Sequence, residues 1–470
     1  MKLERIHLRN FRCFNELTVE FDPKLTVIIA ENGAGKTAIL DAIAIGFGRY
    51  LTKLPGVSGR TTKDTDIRIN EKERRESFMM LAWEATSRDD QPVVWSGGRK
   101  RDGALKATAI KNALSDKYES LLKQGLKQID EFTLNLVQAE ADNTPYFLPV
   151  IAYYGTNRAI REEVQRRRGF KKNFSRFDAL AGALEPDSRF RAAFEWFSAM
   201  EDQERRGKES RRDFDFRLVE LELVRNAIVR MLPEGFSNPR TEIRPLRFVI
   251  DRLMQDGVTR TLRISQLSDG YRVVLGLAMD LARRMAQANS QLAVNGMQII
   301  NPLDLPAIAL IDEVDLHLHP AWQQRIMADL TRTFPGTQFI VTTHSPQVIT
   351  TVDAKCIRVI GATLDEQTGY RKAVVNQINQ QTLGIASSEV LAEVMGIDPI
   401  PDVIQAQQLS QYRAMIEQNL YESENAKGQR VNLEVHFGKD HPVMRECDRM
   451  IRLQVLKQKL PLPTQLKKGD

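Results

Sequence analysis

The chain has 470 residues, 42% hydrophobic and 27% charged, with a net charge of +6 at neutral pH. Such a composition can fill the cores of two to three domains and excludes a chain disordered throughout. No run of 18 apolar residues is present and Lys2, Glu4, Arg5 and His7 break up any apolar leader, so neither a bilayer span nor a signal segment is expected.

Residues 1–30 read as β-structure. Leu17, Val19 and Phe21 alternate with polar neighbours, Asp22-Pro23 makes a turn, and 25–29 is an apolar run suited to a strand buried on both faces. A Gly-containing loop leads into a helix from Lys36 to about Gly46. Peripheral strands are expected at 78–84 and 92–95, a helical stretch at 111–130 and a strand within 147–154. Residues 158–235 form a charged, mostly helical block in which Leu221, Val224, Ile228 and Met231 build one apolar stripe, ended by Pro233 and Gly235. β-like patterning returns at 243–264. A helix at 270–288, a strand at 307–311, a helix after Pro320 and a strand at 338–342 follow, and short helices with polar linkers fill the rest. The spacing predicts an α/β head of mixed sheet and flanking helices, interrupted by a largely helical insertion and followed by a small helical C-terminal region. Its parts are 1–157, 158–240, 241–360 and 361–470.

Four motifs carry chemistry. In Ala30-Glu31-Asn32-Gly33-Ala34-Gly35-Lys36-Thr37-Ala38, a strand feeds a glycine loop that opens a helix. Backbone N–H groups and the helix N-terminus then face phosphate, Lys36 reaches the β- and γ-phosphates of ATP, and Thr37 ligates Mg²⁺. Ala30 stands where the pattern usually has its first glycine. The strand 307–311 delivers Asp312 and Glu313 to its carboxyl end, where ligands collect in α/β sheets; Asp312 suits Mg²⁺ and Glu313 suits an attacking water. Ser268, Asp269 and Gly270 open the helix 270–288, placing a polar cap and backbone N–H groups where phosphate can bind. An apolar strand at 338–342 delivers His344 to the same edge, where it resembles the switch histidine that senses γ-phosphate in ABC ATPases.

Other features leave alternatives open. His317 and His319 could chelate a metal, but no third ligand is evident. A further polar contact at this edge has three candidates: Gln138, and Asn157 and Arg158 at the end of the strand 147–154. Arg158, Arg161, Arg166, Arg167, Arg168, Lys171 and Lys172 form a basic run that reads either as a DNA or RNA contact or as a solvated face or subunit interface. Cys13, Cys356 and Cys447 are far apart and odd in number, which fits reduced thiols in a cytoplasmic protein. His436, His441 and Cys447 fit no common metal spacing.

The order of phosphate loop, insertion, signature, acidic strand and histidine resembles the Rad50/RecF/SMC-related ABC ATPases. Ser268-Asp269-Gly270-Tyr271 resembles the LSGGQ signature, with Asp269 and Tyr271 as departures, and 314–320 resembles the D-loop. The opening Asn10-Phe11-Arg12-Cys13-Phe14 is similar to that group's start, which implies a place for Asn10 and Arg12 near nucleotide. Glu313 to Pro320 looks like the OLD-related branch. Phe194-Glu195-Trp196-Phe197, Glu201-Asp202-Gln203-Glu204 and Val224-Arg225-Asn226-Ala227-Ile228 resemble the ATPase subunit of Septu-type and retron-linked anti-phage systems. The resemblance implies ATP held between the loop of one subunit and the signature of another, in a head-to-tail dimer or larger oligomer. It also implies control of an HNH-type nuclease partner, with DNA or a retron RNA–DNA as a further partner and no membrane. A RecF- or Rad50-like repair ATPase and a non-catalytic ATP-dependent scaffold are the rival readings.

Overall fold

A computed structural model describes residues 1–70, 72–101, 116–158, 174–186, 190–243, 245–290, 301–364 and 371–459. The chain divides into two compact units, Met1–Val390 and Leu391–Asp470.

The first unit is built on β1 (Lys2–Phe11), β2 (Phe14–Glu20), β3 (Leu25–Ala30), β4 (Phe78–Thr86), β5 (Pro92–Lys100), β6 (Val150–Tyr154), β7 (Phe236–Ile243), β8 (Leu246–Leu253), β9 (Thr259–Arg263), β10 (Ala307–Ile311), β11 (Thr337–Thr342), β12 (Ile357–Leu364) and β13 (Arg371–Gln377). The central sheet runs β13-β12-β3-β11-β10-β6. Strands β12, β3, β11, β10 and β6 are parallel, and β13 pairs antiparallel with β12 at the edge. The apolar runs of β10 and β11, and of β6 at the edge, are buried along their whole length, as parallel strands covered on both faces require. A second, antiparallel sheet runs β2-β1-β4-β5, and a third joins β7, β8 and β9.

The helices of this unit are α1 (Lys36–Thr52), α2 (Asp116–Gln124), α3 (Lys127–Ala141), α4 (Phe190–Arg211), α5 (Val219–Met231), α6 (Asp269–Ala288) and α7 (Ile326–Thr333). On α5 the stripe Leu221, Val224, Ile228 and Met231 is fully buried, and the helix packs against α6. From its second turn onward α6 is buried on every side, so its polar residues need partners inside the protein. Asp280 receives them from its own helix: Arg283 donates at 2.8 Å and Arg284 at 2.6 Å, while Tyr154 at the end of β6 donates at 3.1 Å. Burial alone would push the Asp280 carboxyl up; the two guanidinium groups overcome this and bring it down to about 2.

Four elements differ from the sequence expectation. Helix α1 continues beyond Gly46 to Thr52. Strand β7 starts at Phe236, well before 243, and carries a register shift between Ser237 and Arg240 that accommodates Pro239. Strands β12 and β13 extend the central sheet within a stretch read as helix and linker.

The second unit contains α8 (Ile404–Glu417), α9 (Glu424–Phe437) and α10 (Pro442–Lys459) around Tyr412, Ile416, Ala426, Leu433, Met444 and Cys447. No helix among the described residues is long and apolar enough to cross a membrane.

Candidate nucleotide site

The central register gathers four distant segments at one edge. Ile311 aligns with Tyr154 on one side and Val341 on the other, and Thr342 aligns with Ile28 two residues before β3 ends. The loop 30–37, Asp312 and Glu313, the stretch after Thr342 and the stretch after Tyr154 therefore leave the sheet together, at its carboxyl edge.

The loop's shape depends on its glycines. Gly33 and Gly35 have φ of +79° and +98°. At Gly35 a Cβ would lie 2.4 Å from the Phe14 ring and 2.6 Å from the Cys13 sulfur, so the β1–β2 turn presses directly on the loop. Asn32 and Gly33 are exposed, Ala34 and Gly35 are half-buried, and Ala38 is buried in the first turn of α1. The Lys36 ammonium donates to the carbonyls of Ala30 and Glu31, each at 3.0 Å. Burial lowers its pKa, and Asp312, Glu313 and Asp315 oppose that shift.

Across the edge, the Thr37 hydroxyl donates to Asp312 at 2.8 Å. The other carboxylate oxygen of Asp312 accepts from the Thr342 hydroxyl at 2.6 Å, and Thr342 in turn accepts the Glu313 N–H at 2.7 Å. Glu313 sits at φ +48°, a left-handed conformation that a non-glycine residue adopts only when its surroundings impose it. The paired hydroxyl and carboxylate of Thr37 and Asp312 form an all-oxygen donor set, the chemistry that suits Mg²⁺.

Arg158 occupies the remaining corner. It is 2% exposed, and its guanidinium donates to the carbonyls of Gly155, Asp312 and Glu313. Burial lowers its pKa to about 10 against the pull of Asp315, Asp312 and Glu313. Gln138 instead lies on α3 and donates to Asp142. Sequence alone could not rank these candidates, because two of the three carbonyls that Arg158 holds, those of Asp312 and Glu313, lie more than 150 residues along the chain.

His344 is half-buried between two fixed neighbours. The Thr343 hydroxyl donates to Asp315, and the Ser345 hydroxyl donates to Gln323 at 2.7 Å. Gln323 also donates to the Leu318 carbonyl at 2.9 Å, which ties the 314–320 loop to the histidine segment. His319 caps the helical turn that starts at Pro320. Among the described residues no cluster of three His, Cys, Asp or Glu could hold a metal, so His317 and His319 stand without a third ligand there.

Ser268 and Asp269 are exposed at the start of α6, and the Ser268 side chain makes no cap bond. Among the described residues no hydrogen bond joins 268–270 to the loop 30–37. Gly270 lies against the 314–320 loop, since a Cβ there would meet the His317 carbonyl at 2.8 Å. Tyr271 packs between Phe236 and Trp322, with ring centroids at 5.2 and 5.1 Å, and Arg252 lies over Phe236 and Tyr271. Its departure from the signature pattern thus serves packing.

Asn10 donates its side-chain amide to the Phe78 carbonyl at 3.2 Å. Arg12 bridges Asp41 of α1 at 2.6 Å and Asp66 at 2.9 Å, one turn along the helix from Thr37. Of the basic run only Arg158 falls within the described residues; Arg161, Arg166, Arg167, Arg168, Lys171 and Lys172 lie outside them.

A family model described as "AAA domain" matches residues 5–228, and one described as "AAA domain, putative AbiEii toxin, Type IV TA system" matches residues 160–350. The chain is 27% identical over 508 residues to the Retron Ec83 probable ATPase of Escherichia coli, a match covering 95% of this chain and 86% of that protein. It is 26% identical over 404 residues to the Retron Vc95 probable ATPase of Vibrio cholerae, covering 77% and 73%. Septu protein PtuA of Bacillus mycoides is 33% identical over 132 residues, covering 26% of this chain and 17% of that protein.

Proposed function

We propose that this chain is an ABC-type P-loop ATPase related to the Rad50/RecF group, that it binds and hydrolyses ATP as the regulatory subunit of an anti-phage defence complex and that it controls an HNH-type nuclease partner. The observation that carries the reading is the chain of hydrogen bonds Thr37–Asp312–Thr342–Glu313 set against the glycine loop.

In this reading the loop N–H groups and Lys36 bind the phosphates of ATP, and Thr37 and Asp312 hold Mg²⁺. The metal, when bound, neutralises charge on the phosphate oxygens. Glu313 orients a water and takes its proton as the water oxygen bonds to the γ-phosphorus and the bond to ADP breaks. His344 donates to the γ-phosphate. The exposed Ser268 and the N–H groups at the start of α6 serve the loop of a second copy, so that two copies head to tail make two composite sites. The C-terminal region 361–470 then holds the nuclease.

The test is the native mass of the purified chain with and without the product of its neighbouring gene, in ATP and in its absence. A discrete hetero-assembly whose composition or nuclease activity changes with ATP is the expected result. A lone dimer that ignores the neighbour and hydrolyses ATP faster with DNA would overturn the defence reading in favour of a repair-type ATPase.

A further inference from the structure

Two carbonyls flank the Cα of Glu313, its own and that of Asp312, and one buried guanidinium holds both of them. The third carbonyl it holds, that of Gly155, follows β6 directly. Just before this clamp the Asp312 N–H donates to the Tyr154 carbonyl at 2.8 Å, the last rung between β6 and β10. The Glu313 N–H is fixed from the opposite side by Thr342. Glu313 is therefore gripped on both of its peptide groups while it sits at φ +48°.

From this geometry we infer that Arg158 is a positioning residue for hydrolysis: it sets the backbone of Glu313, and so aims the carboxylate, without itself touching substrate. The inference rests on the ATPase reading above and adds to it the part that the Gln138, Asn157 and Arg158 alternatives left open. A planar fork with two terminal nitrogens suits two successive carbonyls; a lysine ammonium, a single point charge, cannot span them in the same way. The role differs from that of Lys36 and Thr37, whose side chains lie on the phosphate loop itself. Loss of the clamp frees the two carbonyls on either side of the base and leaves the Thr342 contact and the loop in place.

The test uses the full chain and the variants Arg158→Gln and Arg158→Lys, each checked for an unchanged melting profile. Affinity is read with a fluorescent ATP analogue and Mg²⁺, and turnover by phosphate release at saturating ATP. Arg158→Gln should bind the analogue as the unaltered chain does and lose about 100-fold in kcat, the scale expected when a reacting group is displaced by an ångström. Arg158→Lys should recover part of that loss. Unchanged kcat in a folded Arg158→Gln protein would overturn the assignment, as would affinity and kcat falling in step. Should Arg158→Gln fail to fold, full turnover in Arg158→Lys overturns it equally. An unaltered chain that binds ATP and never releases phosphate would refute the ATPase reading, and the role of Arg158 with it.

Discussion

At the scale of single residues, the site depends on backbone conformations that only particular side chains permit. Gly35 combines φ +98° with contact against Phe14 and Cys13, so no other residue fits without displacing the β1–β2 turn. Gly35→Ala is expected to cost roughly 1–3 kcal/mol from backbone strain, with further loss from the clash, and to abolish nucleotide binding. Thermal unfolding and equilibrium binding of a fluorescent ATP analogue check both parts; a variant with normal stability and normal binding would contradict the geometry. Glu313 is the opposite case, since its left-handed backbone has no glycine to relieve it and is held by Arg158 and Thr342 instead.

At the scale of elements, the buried trio of Asp280, Arg283 and Arg284 fastens α6 to its surroundings. Arg284 donates to the carbonyl of Ala179 at 2.7 Å, and Asp280 accepts from Tyr154 of β6. A buried ion network adds little net stability over an apolar core, but removing one partner leaves the others uncompensated. Asp280→Asn should therefore destabilise the protein by about 3–5 kcal/mol, measured by denaturant unfolding at neutral pH. The sign with pH follows from the depressed pKa: the carboxylate's contribution is present above the ordinary aspartate range and is lost as pH falls through about 2. A loss below 1 kcal/mol would mean that the network is dispensable.

The elements also show what the sequence can and cannot reveal. The segments that follow β3, β10 and β11 were legible because each of these strands is a contiguous apolar run that leads into a distinctive polar group. The α5 stripe was legible because its period matches a helix. Strand β13 was not, because an antiparallel edge strand such as Arg371–Gln377 carries too much polar sequence to stand out. Arg158 was one of three open candidates for a different reason: two of the three carbonyls it holds, those of Asp312 and Glu313, come from a segment far along the chain, and no local pattern encodes that.

At the scale of the whole molecule, the two halves of the proposed nucleotide site, the loop 30–37 and the start of α6, are not joined by any hydrogen bond among the described residues. The loop 30–37 is organised with Asp312 and Glu313, while Ser268 and Asp269 face outward at the start of α6. That division supports a site completed by a second copy, with ATP as the bridge and hydrolysis as its release. The most direct measurement is ATP turnover and native mass of Glu313→Gln beside the unaltered chain. Turnover should collapse in the variant while ATP remains bound in a stable assembly of two or more copies. Undiminished turnover, or a variant that binds ATP and stays a single chain, would contradict the account.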